Sequence, residues 1–238
     1  MLLLIIYTNR PAIVAYKGRF TNLIFMSRIM IFVDGSNYYH SLKKSFHTAK
    51  VDFQKISNFL IKDEDLINIY FYVSPVPWQE DAEKYSSQQK YFEKLKLIKR
   101  LELILGRLEH RSNKKMEKVK KDFQKLFIES KPNLNPNQIK EFEDVKLNID
   151  DVLKFGNKVE KGVDVNLAID LVTFAFENKY DIAILISNDS DFVPAVKKAQ
   201  NYGKKVYNVK FPKCDAHHLS KTCDKTIFIN DINDFLLD

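Results

Sequence analysis

A series of short apolar runs, separated by stretches with helical spacing, constrains the fold of this 238-residue chain more than any other feature. Each run is rich in β-branched, leucine or aromatic residues and is bounded by turn residues, as is typical of buried strands. The runs occupy residues 29–33, 67–73, 101–109, 181–187, 205–211 and 226–229. Strands that are separated by helices pair in parallel through right-handed crossovers. The pattern therefore predicts an α/β domain with a mainly parallel sheet.

The stretches between these runs carry apolar residues at three- and four-residue steps, which predicts helices. The predicted helices cover residues 38–44, 52–60, 81–99, 163–178 and 191–202. Gly203 is well placed to end the last of them. The leucines of 101–109 could instead continue the helix before them, so this strand has a helical alternative.

Residues 111–156 depart from the alternation and are predicted to form a basic, partly helical insertion, with Pro132 and Pro136 in a break. Its first half holds far more Lys and Arg than Asp and Glu and few apolar residues. Two interpretations stay open: the insertion is a solvated charged excursion, or it is a basic arm that binds RNA.

The first 25 residues show apolar patches without a clear period and precede a second methionine, Met26. The sequence from Met26 onwards reads like a natural protein start. We therefore expect residues 1–25 to be a leader of doubtful status and residues 26–238 to form the domain.

The formal net charge of +7 fits a polyanionic partner, most often nucleic acid. The two cysteines, Cys214 and Cys223, are too few for a disulfide scaffold, which favours a cytoplasmic protein. The N-terminus lacks the features of a signal peptide, and no apolar run reaches the ~18 residues of a membrane-spanning helix. We expect no membrane partner, and the sequence leaves open whether the protein is a homodimer.

Oxygen-bearing side chains follow the predicted strands at their carboxyl ends, where open parallel sheets bind ligands. Asp34 and Asn37 come after the first strand, and Asp189 and Asp191 come after the most apolar one. Asp164 opens a helix, which it could cap, and could face the same edge. Carboxylates gathered at one edge repel each other unless cations lie between them, and Mg²⁺ and Mn²⁺ prefer such oxygen ligands.

Each of these residues alone also fits an ordinary structural role. An Asp-Gly pair after a strand is usually a turn, and an Asp at a helix start is usually a cap. Their ordered placement at the ends of elements favours a functional site. A metal held by carboxylates would suit phosphodiester hydrolysis, because it acidifies a water molecule and shields phosphate charge. The chain shows no evident Ser/His/Asp or Cys/His nucleophile set and no G-x-G-x-x-G motif after the first strand.

Segments 31–37, 160–171 and 184–194 together resemble the NYN domain family, whose members look like PIN-domain nucleases, and the tail 216–231 looks like the final helix and strand of that family. The resemblance covers about residues 26–231 apart from the insertion. It implies a Rossmann-like three-layer α/β/α sandwich with a mainly parallel sheet of strand order 3-2-1-4-5. It also implies a metal-dependent ribonuclease that hydrolyses RNA with Mg²⁺ or Mn²⁺.

By the same resemblance, Asp34, Asp164, Asp189 and Asp191 form the acidic metal site, and Asn37 orients metal-bound water or phosphate. Asp170 also matches the family pattern. Six residues beyond Asp164 it points elsewhere on an ideal helix, so we expect a supporting role.

The loop departs from the family at Ser187-Asn188-Asp189, where relatives often have Ser-Gly-Asp. Asn tolerates a positive φ better than most residues, which makes this a mild change. Ser187 and Asn188 are expected to shape the loop.

Other functions fit parts of the same pattern. A catalytically weak RNA-binding module of the same fold is the main alternative, although a module that only binds a phosphate backbone gains nothing from a carboxylate cluster. A phosphatase or DNA nuclease could use similar carboxylates. The spacing of Cys214, His217, His218 and Cys223 is not a common zinc pattern, and a loop and short helix explain it better.

Aromatic residues near the first helices could stack bases. Trp78, Tyr85 and Tyr91 are the candidates. Packing between a helix and a sheet is the more usual role, and we favour it for Tyr91 and Phe92, while Trp78 stays open.

Overall fold

The computed structural model describes residues 13–16, 19–22, 26–78, 81–110, 114–156 and 158–237. Most of the predicted leader lies outside these residues, and what is described of it is a short antiparallel strand pair. No helix within the described ranges is both long enough and apolar enough to cross a membrane.

The elements follow one another as strands and helices, with short 3-10 turns at residues 131–133, 190–192 and 233–235. In chain order they are β1 (Ile13–Tyr16), β2 (Arg19–Asn22), β3 (Arg28–Asp34), α1 (Gly35–Phe46), α2 (Phe53–Ile61), β4 (Asp65–Val73), α3 (Ala82–Lys96), β5 (Leu101–Leu105), β6 (Arg107–His110), α4 (Lys114–Ser130), α5 (Pro136–Gly156), β7 (Lys158–Lys161), α6 (Val163–Phe176), β8 (Ile182–Ile186), α7 (Val193–Asn201), β9 (Lys205–Lys210), α8 (His217–Thr222) and β10 (Lys225–Phe228).

A parallel six-stranded sheet of order β10-β9-β8-β3-β4-β5 forms the centre of the domain. Counted along the chain without the two antiparallel pairs, this is the predicted order 3-2-1-4-5 with a sixth strand at the outer edge. The predicted fold is confirmed. β3 lies in the middle, paired with β4 on one side and β8 on the other, which explains why its sequence is almost wholly apolar.

Helices cover both faces of the sheet because successive side chains of a strand point to opposite sides. Ile29, Ile31 and Val33 pack in one core cluster with α1, α2 and α3. Met30 and Phe32 pack in the other cluster with α6, α7 and α8. The result is the three-layer α/β/α sandwich.

The apolar run at 101–109 is neither one strand nor a continued helix. It divides at Gly106 into β5, which closes the edge of the sheet, and β6, which leaves the sheet and pairs antiparallel with β7. Between β6 and β7 in the chain, the residues of the predicted insertion form two helices, α4 and α5. The predicted break is present, since a 3-10 turn at Lys131–Asn133 precedes α5, which begins at Pro136.

The two helices of the insertion contact each other through aromatic rings. The ring of Phe142 lies 5.4 Å from that of Phe123 and 5.3 Å from that of Phe127. The apolar residues among the charges of this segment therefore make a small helix–helix contact.

An ion pair joins the start of β3 to the residue before β8. Arg28 donates to Asp181 from Nε at 3.1 Å and from its terminal nitrogen at 2.8 Å, and to the carbonyl of Asn178 at 2.8 Å. Hydrogen bonding from Arg28 holds the pKa of the Asp181 carboxyl below its usual value. The ion pair therefore contributes its full stability at pH values above the pKa that Asp181 has in the unfolded chain. This contribution is lost as pH falls through the lower pKa of Asp181 in the folded protein.

We expect Asp181→Asn to lower the free energy of unfolding by about 0.5 kcal/mol at neutral pH, because both partners are partly exposed to solvent. The difference from the wild type should begin to shrink as pH falls below about 3.9, the usual pKa of an aspartyl carboxyl, and should vanish only below the lowered pKa of the folded protein. Urea unfolding across that pH range measures it. A difference that stays constant with pH would show that the charge of Asp181 is not its cause.

Candidate active site

The central strands β3 and β8 are adjacent and parallel, with Val33 opposite Ile186, so the residues that follow them meet at one edge of the sheet. A cleft of about 470 Å³ opens there. It is lined by Asp34, Ser36, Asn37, His40, Ser41, Lys44, Asp164, Asn188, Asp189, Cys214 and Asp215.

Asp34 ends β3, caps α1, and is only 5% exposed. One of its carboxylate oxygens accepts the backbone N–H of Asn37 at 3.0 Å, and the other accepts the hydroxyl of Ser187 at 3.0 Å. A buried carboxylate needs such donors to offset the loss of water. The same two bonds hold its orientation relative to α1 and to the end of β8.

Ser187 connects Asp34 to Asp189. Its hydroxyl donates to Asp34 and accepts the backbone N–H of Asp189 at 3.1 Å. Asp189 in turn caps the following 3-10 turn by accepting the backbone N–H of Asp191 at 2.9 Å. The chain after β8 is therefore held in a defined path that brings Asp189 to the cleft.

Asn37 and Asn188 join helix α1 to this loop. The side-chain oxygen of Asn37 accepts both the backbone N–H of Asn188 at 3.1 Å and its side-chain amide at 2.9 Å. The same amide donates to the hydroxyl of Ser41 at 2.7 Å. Asn188 is not among the described residues with a positive φ, so the explanation based on a positive φ is wrong. The role of asparagine at position 188 is to donate side-chain hydrogen bonds to Asn37 and Ser41.

Asp164 lies exposed in the first turn of α6 and lines the cleft together with the residues at the two strand ends. It does not cap the helix, which corrects one of the roles that its position suggested. The N-cap is Gly162, whose φ of 89° suits glycine. No side chain at the N-cap position therefore bonds to the first turn of the helix. A carboxylate in the first turn is favoured by the helix dipole.

Asp191 and Asp170 lie outside the residues that line the cleft. Asp191 is exposed on the 3-10 turn. Asp170 points away from the cleft, as its position on the helix predicted, and accepts the hydroxyl of Tyr72 from β4 at 2.8 Å. Burial, and then this hydrogen bond, raise the pKa of Tyr72 far above its usual value. The lining of the cleft thus includes Asp34, Asp164 and Asp189 with Asn37, and it does not include Asp191.

Besides Ser41, three ionisable cleft residues were missed by sequence reasoning although signals for them existed. Lys44 follows Asn37 and Ser41 at helical steps, so it shares their face of α1. His40 lies three residues after Asn37 on that helix. Asp215 follows β9, the next strand in the sheet, and the same strand-end argument would have found it.

Asn208 is a further missed residue that acts at a distance from the cleft. It is fully buried on β9 and donates to the carbonyl oxygens of Leu185 at 3.3 Å and Ser187 at 2.8 Å. Its own oxygen accepts the hydroxyl of Ser220 at 2.9 Å. The amide therefore fixes the backbone at the end of β8. A polar residue inside an apolar strand was the available signal.

The oxygen donors of the cleft suit a hard cation, although within the described ranges no three His, Cys, Asp or Glu side chains form a group that could hold a metal ion. Mg²⁺ usually keeps several waters and takes one or two carboxylates together with substrate phosphates. The side-chain oxygen of Asn188 is buried without a hydrogen-bond partner among the described residues. Such an orphaned acceptor beside carboxylates fits an ion or its water.

The four residues of the discounted zinc pattern are not gathered in one place. Cys214 belongs to the core cluster on the α1 side of the sheet, and Cys223 to the cluster on the opposite side. His217 and His218 are exposed on α8. Burial raises the pKa of the Cys223 thiol to about 12, which keeps it protonated at neutral pH.

Comparisons with known proteins agree with this fold. The family model of the NYN domain matches residues 28–230. The uncharacterized protein MJ0482 of Methanocaldococcus jannaschii is 40% identical over 53 residues, which span 22% of this chain and 22% of that protein. The crystal structure of a protein of unknown function, VPA0982 from Vibrio parahaemolyticus RIMD 2210633, superimposes with a TM-score of 0.59 at 17% identity. The alignment covers 91% of this chain and 100% of that one.

Proposed function

The chain belongs to the NYN domain family, which implies a PIN-like nuclease fold, and from this premise we propose that it is a metal-dependent ribonuclease that hydrolyses phosphodiester bonds of RNA in the cleft. One observation carries the proposal. Asp34, Asp164 and Asp189 come from three separate segments of the chain and line the same cleft at the carboxyl edge of the sheet. A protein that only bound RNA would gain nothing from negative charges at that point.

We assign Asp34, Asp164 and Asp189 as the residues that would hold Mg²⁺ or Mn²⁺. A bound divalent cation supplies Lewis-acid chemistry, since it acidifies water and neutralises charge on the phosphate. Asp34 and Asp189 are tied to each other through Ser187, so their spacing is set before any ion arrives. Asp191 stays a prediction as the fourth member of the site.

The remaining polar residues of the cleft divide into two roles. Lys44 and His40 line the side formed by α1, where the ammonium group of Lys44 would meet the phosphate backbone of RNA. Asn37 acts mainly as a positioning residue, because its oxygen is engaged with Asn188. Its amide nitrogen is the part that remains to orient water or phosphate.

Replacing Asp189 by asparagine tests the proposal. Asparagine caps a turn as well as aspartate does, so the variant removes the negative charge and keeps the local fold. We expect metal-dependent cleavage of labelled single-stranded RNA to fall by about 10²-fold, the loss of one electrostatic contribution to the transition state. Cleavage is measured with Mg²⁺, Mn²⁺ or EDTA, beside a DNA of the same sequence.

Asp52→Asn is the matched control, because Asp52 also caps a helix through its side chain but does not line the cleft. It should retain the wild-type rate. If the wild type binds RNA but does not cut it under any metal condition, the ribonuclease proposal is wrong and the protein is an RNA-binding module. Equal cleavage of RNA and DNA would contradict the assignment to RNA.

A further inference from the structure

A second cavity, of about 330 Å³, lies beside the cleft between α1, α3 and the carboxyl end of β4. Ser36 and His40 line both spaces, so the cavity and the cleft adjoin each other at these two residues. Five of the residues that line the second cavity are Tyr or Phe, and we call this space the aromatic cavity. Its rings come from Tyr38, Tyr39, Phe71, Tyr91 and Phe92.

Two of the residues that line the aromatic cavity carry hydroxyl groups that are buried without a hydrogen-bond partner among the described residues. These hydroxyls belong to Tyr38, which is 3% exposed, and to Tyr91. Native proteins seldom leave a buried hydroxyl unsatisfied, because its lost hydration is not replaced. Burial raises the pKa of both phenols well above the usual value, so each is neutral and can both donate and accept a hydrogen bond.

The cavity is preformed by packing and by a side-chain bridge. Phe92 belongs to the core cluster and Tyr91 packs against it, which confirms their predicted packing roles. Gln88 joins α3 to the loop after β4, since it accepts the backbone N–H of Val76 at 2.7 Å and donates to the carbonyl of Ser74 at 3.2 Å. These contacts tie α3 to the loop that follows β4 at one side of the cavity.

We propose that the aromatic cavity binds one nucleobase of the RNA strand, next to the phosphate in the cleft; this rests on the proposed function. The rings of Tyr39, which is 42% exposed, and of the half-buried Tyr91 can accept a flat base by stacking, whatever its identity. The hydroxyls of Tyr38 and Tyr91 supply the hydrogen bonds that the edge of a base needs. A purely apolar occupant would leave both unpartnered, and the shared Ser36 and His40 place a bound base beside the reacting phosphate.

The proposal is tested with nucleosides, which carry no phosphate and need no metal. Adenosine, guanosine, cytidine, uridine and ribose are titrated into the metal-free protein and followed by NMR. At least one nucleoside should bind about 10-fold or more tightly than ribose, since stacking contributes that much per base. The double variant Tyr38→Phe/Tyr91→Phe keeps both rings and removes only the hydroxyls, and it should bind that nucleoside about 10-fold more weakly.

Tyr85→Phe is the matched control, because Tyr85 lies on the same helix but outside the cavity lining, and it should bind as the wild type does. Thermal melting of each variant establishes that it is folded. Two results would overturn the proposal: ribose that binds as tightly as every nucleoside, or a folded double variant whose affinity for the nucleoside is unchanged. Either result would indicate that the cavity holds only water. Base binding without RNA cleavage by the wild type would contradict the ribonuclease and leave this inference standing.

Discussion

Asp34→Asn is expected to lower metal-dependent RNA cleavage by about 10³-fold, the largest loss for any single change in the cleft. Asp34 is the most buried of the assigned ligands, so its charge acts in a medium where electrostatic interactions are strong. The new amide nitrogen would also meet the hydroxyl that Ser187 now donates to the carboxylate. Cleavage rates and Mn²⁺ affinity, measured by calorimetry, should fall together.

The fold of this variant should persist, because an asparagine can still cap α1 through its side-chain oxygen. Circular dichroism and thermal melting check this point. A folded Asp34→Asn protein that keeps more than about a tenth of the wild-type rate, with unchanged Mn²⁺ affinity, would exclude Asp34 from the metal site.

Gly35→Ala is expected to lower the free energy of unfolding by about 3 kcal/mol or more, because the helix that it begins lies directly against β4. A Cβ at this position would lie 2.6 Å from the Phe71 ring, 2.8 Å from the carbonyl oxygen of Tyr72 and 2.9 Å from Cβ of Val73. The carbonyl belongs to the central sheet and cannot swing aside. Relief requires α1 to move, which would separate Asn37 from the loop after β8 and reduce cleavage as well.

Gly203→Ala is the control for Gly35→Ala, because it tests the effect of backbone conformation without steric crowding. Gly203 has a φ of 76°, and a Cβ added at this position would meet no other atom within 4 Å. The substitution should therefore cost only about 1 kcal/mol, the strain of a left-handed alanine. Urea unfolding measures both variants. If Gly35→Ala costs no more than Gly203→Ala, the close approach of α1 to β4 does not constrain position 35.

Asp189 and Asp191 show where sequence reasoning ends. The two residues are alike in type, lie two positions apart and both follow the most apolar strand, so the pattern assigned them the same role. In the structure Asp189 caps the turn and lines the cleft, whereas Asp191 donates its backbone N–H to that cap and lies exposed. The geometry of a single turn separates them, and no periodicity encodes it.

Asn188 also shows this limit of sequence reasoning. Its role in shaping the loop was predicted, but the reason given, a positive φ, was wrong. Its hydrogen-bond partners, Asn37 and Ser41, lie 151 and 147 positions away in the chain. Those contacts exist only because β3 and β8 are neighbours in the sheet. The aromatic cavity depends in the same way on the packing of α1 and α3 against β4, which no local pattern describes.

The sequence by itself determined most of the strands of the central sheet, their parallel pairing and the edge of the sheet at which the acidic residues gather, whereas the order of the strands was implied by the resemblance to the NYN domain family. It could do so because strand and helix periods are local properties, and because parallel strands place their carboxyl ends on one side. Only the tertiary structure decided which acids share the cleft, which amides hold them and where two tyrosine hydroxyls are left without partners among the residues described. Those outcomes depend on side-chain contacts between segments far apart in the chain, and they are settled by packing.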